Sequence, residues 1–195
     1  MQAGRFVRHQ LSQEGLELTL ATNHLGHFVL MLSLIDLLAS SGQARIVNVS
    51  SGTYYSGTGA IEKIQSAREY DGRKQYSNSK LANVLFTYAL VDKLRGKGIT
   101  VNSCEPGGVA TNFARNNGFV HWLKHRLYYL GKGQLLTPAP GADTVVYLAS
   151  SDEVAGVTGR HFFQRKELRS SERAYDKTLQ AELWSLRRDL AGIDL

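Results

Sequence analysis

From residue 44 onward, short β-branched runs alternate with longer helical patterns, and this alternation limits the folds open to the chain. ARIVNVSSG (44–52) reads as a buried strand feeding a loop, and GITVNSCEPGG (98–108) as a second strand halted by Pro106-Gly107. VTGRHFF (157–163) supplies a third short strand. Between them, 76–95 fits a helix with Leu81, Val84, Leu85 and Tyr88 on one face, stopped near Gly96 and Gly98. TPAPGADTVVYLASS reads as a helix entered through Pro140, and 171–191 as a last helix ending near Gly192. Strands separated by helices imply a parallel sheet covered on both faces, an α/β fold.

The segment before residue 44 is helical. Apolar residues at 25, 28, 29, 32 and 35 keep a helical period, Ser12 is a candidate N-cap, Glu14 sits in the first turn and Ser40-Ser41-Gly42 closes the pattern. Its most apolar run, FVLMLSLIDLL (28–38), is short for a bilayer span and carries Asp36. MQAGRFVRHQ has no apolar signal region, so a cytoplasmic location is expected. Residues 52–74 mix Gly, Ser and charge and read as irregular. At 195 residues the chain fits one domain, 1–195, with a sizeable core. The single Cys104 excludes an intrachain disulfide and a cysteine zinc cluster. The net charge of +6 is scattered rather than gathered into a basic run, so a solvated surface is expected in place of a nucleic-acid face.

Three tyrosine–lysine pairs occur four residues apart: Tyr70–Lys74, Tyr76–Lys80 and Tyr128–Lys132. The first encloses Asp71-Gly72, a turn signal, and the third encloses Gly131, which weakens a helix. Only Tyr76–Lys80 starts a long stretch free of Gly and Pro, where positions i and i+4 are neighbours. An ammonium beside a phenol stabilises phenolate and moves the tyrosine toward acid–base work. A hydroxyl at the mouth of the preceding strand, such as Ser51, suits a substrate carbonyl oxygen. Each residue also has a plain structural reading: Tyr76 packed at a helix start, Lys80 solvated, Ser50-Ser51 a strand-ending turn.

The ordered set NHLG (23–26), IVNVSS (46–51), YSNSK (76–80) and PGGVAT (106–111) resembles the short-chain dehydrogenase/reductase family, across about residues 4 to 190. TNHLGHF, SKLANVLFTYAL and TPAPGADTVVYLASS are similar to its retinol-dehydrogenase-like branch. The resemblance implies a partial Rossmann-like parallel sheet and NAD(P)-dependent hydride transfer between an alcohol and a carbonyl, possible lipophilic substrates being retinoid-like. It implies Tyr76 as acid–base, Lys80 as the lysine that lowers its pKa and bonds the nicotinamide ribose, and Ser51, in preference to Ser50, as the residue polarising the carbonyl. Asn23 matches the asparagine whose backbone carbonyl orients a proton-relay water. Pro106, Gly107, Val109 and Thr111 match the loop that holds the nicotinamide. NADP is favoured over NAD by analogy with the branch. Twenty-five residues separate Ser51 from Tyr76, a wider gap than is common in the family but one its retinol-dehydrogenase-like branch tolerates.

The family's TGxxxGxG strand–loop–helix, which receives the pyrophosphate at a helix N-terminus, has no counterpart in these 195 residues. MQAGRF reads as a remnant of the family's NNAG motif, so the chain is expected to correspond to the C-terminal two-thirds of a member. Two consequences are expected: an exposed, unpaired edge on the strand at 44–49, and weak or no NAD(P) binding by the chain alone. The alternative reading is a truncated non-catalytic fragment that acts, if at all, by association with other chains; homo-oligomerisation also stays open. His24/His27 and His121/His125 have metal-like spacings without a third ligand in pattern, so no metal is expected. FVHWLKHRLYYL (119–130) falls where the family places a substrate-covering segment, with an ordinary surface helix as the alternative. Lys124, His125 and Arg126 beside Trp122 leave contact with membrane headgroups as a further reading.

Overall fold

The computed structural model describes residues 4–59, 70–113 and 115–191. A short helix α1 (Leu18–Leu20) runs through a π turn (Ala21–Leu25) into α2 (Gly26–Ser40). Strand β1 (Ala44–Val49) follows, then a 3-10 turn at Gly52–Ser56 and the long helix α3 (Gly72–Lys93). Next come β2 (Ile99–Glu105), β3 (Gly108–Val109), α4 (Phe119–Gly131), β4 (Leu135–Leu136) and α5 (Pro138–Ser150). The chain then forms β5 (His161–Phe163), β6 (Lys166–Leu168) and α6 (Lys177–Ala191).

The main sheet has the order β1-β2-β5-β6. β1 and β2 are parallel with Ala44 opposite Ile99 and Val49 opposite Cys104, and β2 and β5 are parallel from Ser103–His161. The alternating helices deliver this parallel order, and both faces are covered as expected. On one face Ile46, Ile99 and Val101 pack with Phe28 of α2 and Phe86 and Leu90 of α3. On the other, Val47, Val49, Cys104 and Phe162 pack with Leu148 of α5. Phe28, Phe86 and Trp184 form an aromatic cluster with centroid separations of 5.2, 5.3 and 5.9 Å. Burying each of the two phenylalanines contributes about 2 kcal/mol. Arg45 ties β1 to the end of α5, donating to the carbonyls of Leu148 (3.3 Å) and Ser151 (2.7 Å), where a cation complements the helix C-terminus. Among the described residues, no strand pairs with the outer edge of β1.

Several local expectations are corrected. The first helix is capped by Glu17 and not by Ser12, because the Glu17 carboxylate accepts from the amides of Thr19 (2.9 Å) and Leu20 (2.8 Å). Ser12 instead belongs to a turn closed by Gly15 at φ +78°, so Glu14 precedes the helix by four residues. Helix α3 begins at Gly72 because Asp71 accepts from Arg73 and Lys74 amides, and α5 enters through Pro138 rather than Pro140. The β5–β6 hairpin, antiparallel with a two-residue turn, is an addition. Gln164 and Arg165 take φ values of 50° and 61° there, without the Gly or Asn that usually announces such a turn. The final helix starts at Lys177 after a 3-10 turn at Glu172–Tyr175, and its expected end at Gly192 lies outside the described residues, as does Ala3 of the remnant motif. Leu18–Ser40 is long and apolar enough to cross a membrane by length and composition, beyond the 28–38 run taken from the sequence. Its Leu20, Asn23, His24, Leu25, Phe28 and Leu32 are buried within the fold.

Candidate active site

Helix α3 lies in the middle of the molecule, buried from Ser77 to Leu90, and carries Tyr76 and Lys80 one turn apart. The Lys80 ammonium stands 5.8 Å from the Tyr76 ring centroid and donates to the Val49 carbonyl at 3.3 Å. Ser51 follows β1 at the N-cap of the 3-10 turn, where its hydroxyl accepts from the Thr53 amide. β1 and α3 thus bring Ser51, Tyr76 and Lys80 together. Ser50 is used differently: it is buried, and its hydroxyl donates to the Lys80 carbonyl at 2.9 Å, fixing the strand end to α3.

The electrostatics depart from the simple phenol–ammonium picture. Burial pushes Tyr76 up to about 12, while the neighbouring Ser51 hydroxyl pulls the other way. Tyr129 raises it further and Arg5 lowers it, both by their charges. Burial also lowers Lys80 to about 8, opposed by Cys104. Desolvation is the largest cause for both groups, so the Tyr76 shift runs opposite to the lowering expected from Lys80, whose ammonium stands 5.8 Å from the ring centroid.

Asn23 sits in the π turn, a local widening common at functional sites. Its side chain accepts from the Gly4 amide (2.8 Å) and donates to the Gly4 carbonyl (2.8 Å) and Ser79 hydroxyl (3.0 Å). Its backbone carbonyl receives Asn83 Nδ2 at 3.1 Å. Asn83 also donates to Val49 (3.3 Å) and hydrogen-bonds His24 Nδ1 (2.9 Å), joining helix α1–α2, β1 and α3 beside Lys80. The sequence reading missed Asn83; its signal was the i+3 spacing from Lys80, which places both on one helix side.

After β2 the loop turns at Gly107, φ +77°, which needs glycine. Pro106 and Val109 are half-buried, Gly107 and Thr111 exposed. The Thr111 hydroxyl accepts from the Phe113 amide (3.2 Å), and its carbonyl accepts from the Trp122 indole (3.2 Å). A column of rings then leads to the catalytic candidate: Tyr76–Phe113 (5.4 Å), Phe113–His125 (5.2 Å) and His125–Tyr129 (4.9 Å). Gly108 is what lets Tyr129 come in, since a Cβ there would meet Tyr129 Cδ1 at 2.3 Å. Helix α4 thereby covers the Tyr76 side of the loop. A cavity of about 570 Å³ lies beside this loop, lined by Glu105, Pro106, Leu136, Pro140 and Phe163 but by none of Ser51, Tyr76 or Lys80.

The other two pairs are sorted by their surroundings. Tyr70 precedes the α3 cap, and its hydroxyl donates to the Phe6 carbonyl (2.8 Å) and Glu17 (3.1 Å), a structural post. Tyr128 and Lys132 do meet, contrary to the expectation from Gly131: α4 runs through Gly131, and the ammonium lies 4.6 Å from the Tyr128 ring centroid. They are exposed. Among the described residues, no group of three His, Cys, Asp or Glu side chains is placed to hold a metal.

A family model described as short chain dehydrogenase matches residues 2–118. Human retinol dehydrogenase 14 is 39% identical over 182 residues, covering 93% of this chain and 54% of the relative. Human polyprenol dehydrogenase is 36% identical over 193 residues, covering 96% of this chain and 58% of the relative. The chain thus spans about half the length of these curated relatives. Among solved structures, an uncharacterized protein from Mycobacterium paratuberculosis is 28% identical with a TM-score of 0.72, covering 96% of this chain and 63% of that one. The ordered motifs, the sheet and the sequence match agree, and the chain belongs to the short-chain dehydrogenase family.

Proposed function

We propose that this chain provides the catalytic side of an NAD(P)-dependent oxidoreductase that interconverts an alcohol and a carbonyl on a lipophilic substrate. The observation carrying this reading is the meeting of Ser51, Tyr76 and Lys80 where β1 and α3 converge, the buried ammonium 5.8 Å from the Tyr76 ring centroid and donating to the Val49 carbonyl. A phenol raised to about 12 keeps its proton at neutral pH, which suits a group that donates to a developing alkoxide. Ser51 offers a second hydrogen bond to the same oxygen. Lys80, at about 8, titrates near neutrality and can take or return a proton beside Tyr76. Asn23 and Asn83 hold the helices that place Lys80. The ring column supports a lipophilic substrate, a class also named by the retinol and polyprenol relatives.

The donors present fit the nicotinamide and ribose part of the dinucleotide. Among the described contacts, Lys80 uses one of its three hydrogens, which leaves donors for a ribose diol, and the Pro106–Thr111 loop packs at Gly108 against Tyr129. When bound, the cofactor supplies or accepts the hydride; NADP is preferred to NAD by analogy with the branch. The phosphate and adenosine part finds no TGxxxGxG loop in these residues, so the 195 residues alone are expected to bind NAD(P)H weakly. A second reading, a non-catalytic unit that associates with other chains, is favoured by the outer edge of β1, with which no strand among the described residues pairs.

The test is turnover of a long-chain alcohol or aldehyde with NAD(P)(H), in the chain extended at its N-terminus by a TGxxxGxG strand–loop–helix. Ser51→Ala is expected to lower kcat by about a hundredfold or more, with little change in stability. Ser50→Ala is expected chiefly to destabilise. Turnover that tracks Ser50 and ignores Ser51 would overturn this assignment.

A further inference from the structure

Helix α4 has two unlike faces. Its inner side carries His125 and Tyr129 of the ring column and Trp122, held by the Thr111 carbonyl. On its outer side Phe119, Val120, Leu123, Leu127 and Leu130 are 64, 61, 39, 56 and 62% exposed. At about 100° per residue these five fall within an arc of about 100°, forming one continuous apolar stripe. Single exposed apolar side chains are ordinary; five on one helix face mark a surface that meets something.

The stripe has basic margins. Arg126 borders one side, its guanidinium 5.0 Å from the Trp122 ring centroid, and Lys124 borders the other. No Asp or Glu lies between Glu105 and Asp143, a span that holds Arg115, Lys124, Arg126 and Lys132. An apolar stripe flanked by long cationic side chains suits a lipid interface: the apolar groups enter the acyl boundary and the cations reach anionic headgroups. A second copy would cover the stripe but would set Arg126 and Lys124 against cations of the same margin. We propose that α4 is a docking face for anionic lipid surfaces. This inference stands on α4 and does not depend on the oxidoreductase chemistry.

The experiment is flotation of the purified 195-residue chain with vesicles of phosphatidylcholine alone or mixed with phosphatidylserine. Two variants are compared, Leu123→Asp/Leu127→Asp and Lys124→Glu/Arg126→Glu, each with circular dichroism as a control for folding. The wild type is expected to float with the phosphatidylserine vesicles and to weaken as salt is raised. Each variant is expected to bind at least about tenfold more weakly. A wild type that floats with neither vesicle, or variants that bind as it does, would overturn the proposal. So would a dimer, seen by light scattering, that the Leu123→Asp/Leu127→Asp exchange dissociates, since that assigns the stripe to a second copy.

Discussion

Replacing Lys80 by Met removes a charge that the fold holds at a cost. The side chain is 3% exposed, and its pKa falls from 10.5 to about 8 by burial. That displacement corresponds to about 3 kcal/mol at one pKa unit per 1.36 kcal/mol. The unfolded chain keeps the Lys80 proton up to 10.5, whereas the folded chain releases it near 8. The unfolded state therefore binds more protons between these values, so stability rises with pH across that window. The penalty is complete below about pH 8 and absent above about 10.5. Methionine matches the unbranched stem, and the Val49 carbonyl keeps the Asn83 donor at 3.3 Å, so the lost hydrogen bond subtracts little. Urea unfolding at pH 7 should show Lys80→Met about 2–3 kcal/mol more stable, a gain that shrinks as the pH is raised toward 10. The same variant should lose turnover, the expected trade between stability and a strained site. A variant less stable than wild type at pH 7, or a gain independent of pH, would refute this reasoning.

Two further substitutions probe the parts that place the site. Asn23→Ala removes three buried hydrogen bonds, two to Gly4 and one to Ser79, and should cost about 3 kcal/mol by chemical denaturation. A loss under about 1 kcal/mol would mean that the Gly4 segment is held by other contacts. Gly108→Ala places a methyl 2.3 Å from Tyr129 Cδ1 and 2.9 Å from the Gln134 carbonyl, so α4 must move outward. Faster amide exchange along α4, with about 1–3 kcal/mol lost, is the expected result; unchanged exchange would show that Tyr129 yields by itself.

Much of the architecture was legible because local preference and global burial agree in it. ARIVNV and ITVNSC are β-branched and buried on both faces, and no Gly or Pro interrupts 76–93. Where two local signals compete, the sequence was less decisive. Ser12 is a good cap by type, yet Gly15 turns the chain and Glu17 reaches two amides at once. The β5–β6 turn was hidden because Gln164 and Arg165 adopt positive φ without the usual residues. The site was legible as a list of residues and not as an electrostatic environment. Burial, which decides the Tyr76 and Lys80 shifts, is a tertiary property: Phe113 lies against the Tyr76 ring and the Val49 carbonyl meets the Lys80 ammonium, both remote in sequence. The ring column and Asn83 were missed for the same reason: the partners of Asn83 lie 34 to 60 residues away, and Tyr76 meets Phe113 across a loop.

The central claim is that Tyr76, placed beside Ser51 and Lys80, gives and takes the proton on the substrate oxygen. Its most direct test is Tyr76→Phe in the N-terminally extended chain, with NAD(P)H binding followed by fluorescence and turnover by absorbance. The phenyl ring keeps the contact with Phe113 and loses only the hydroxyl. The account predicts turnover reduced by about a thousandfold or more while cofactor affinity stays within a few fold. Turnover near the wild-type level in Tyr76→Phe would contradict it and place the acid–base on another side chain.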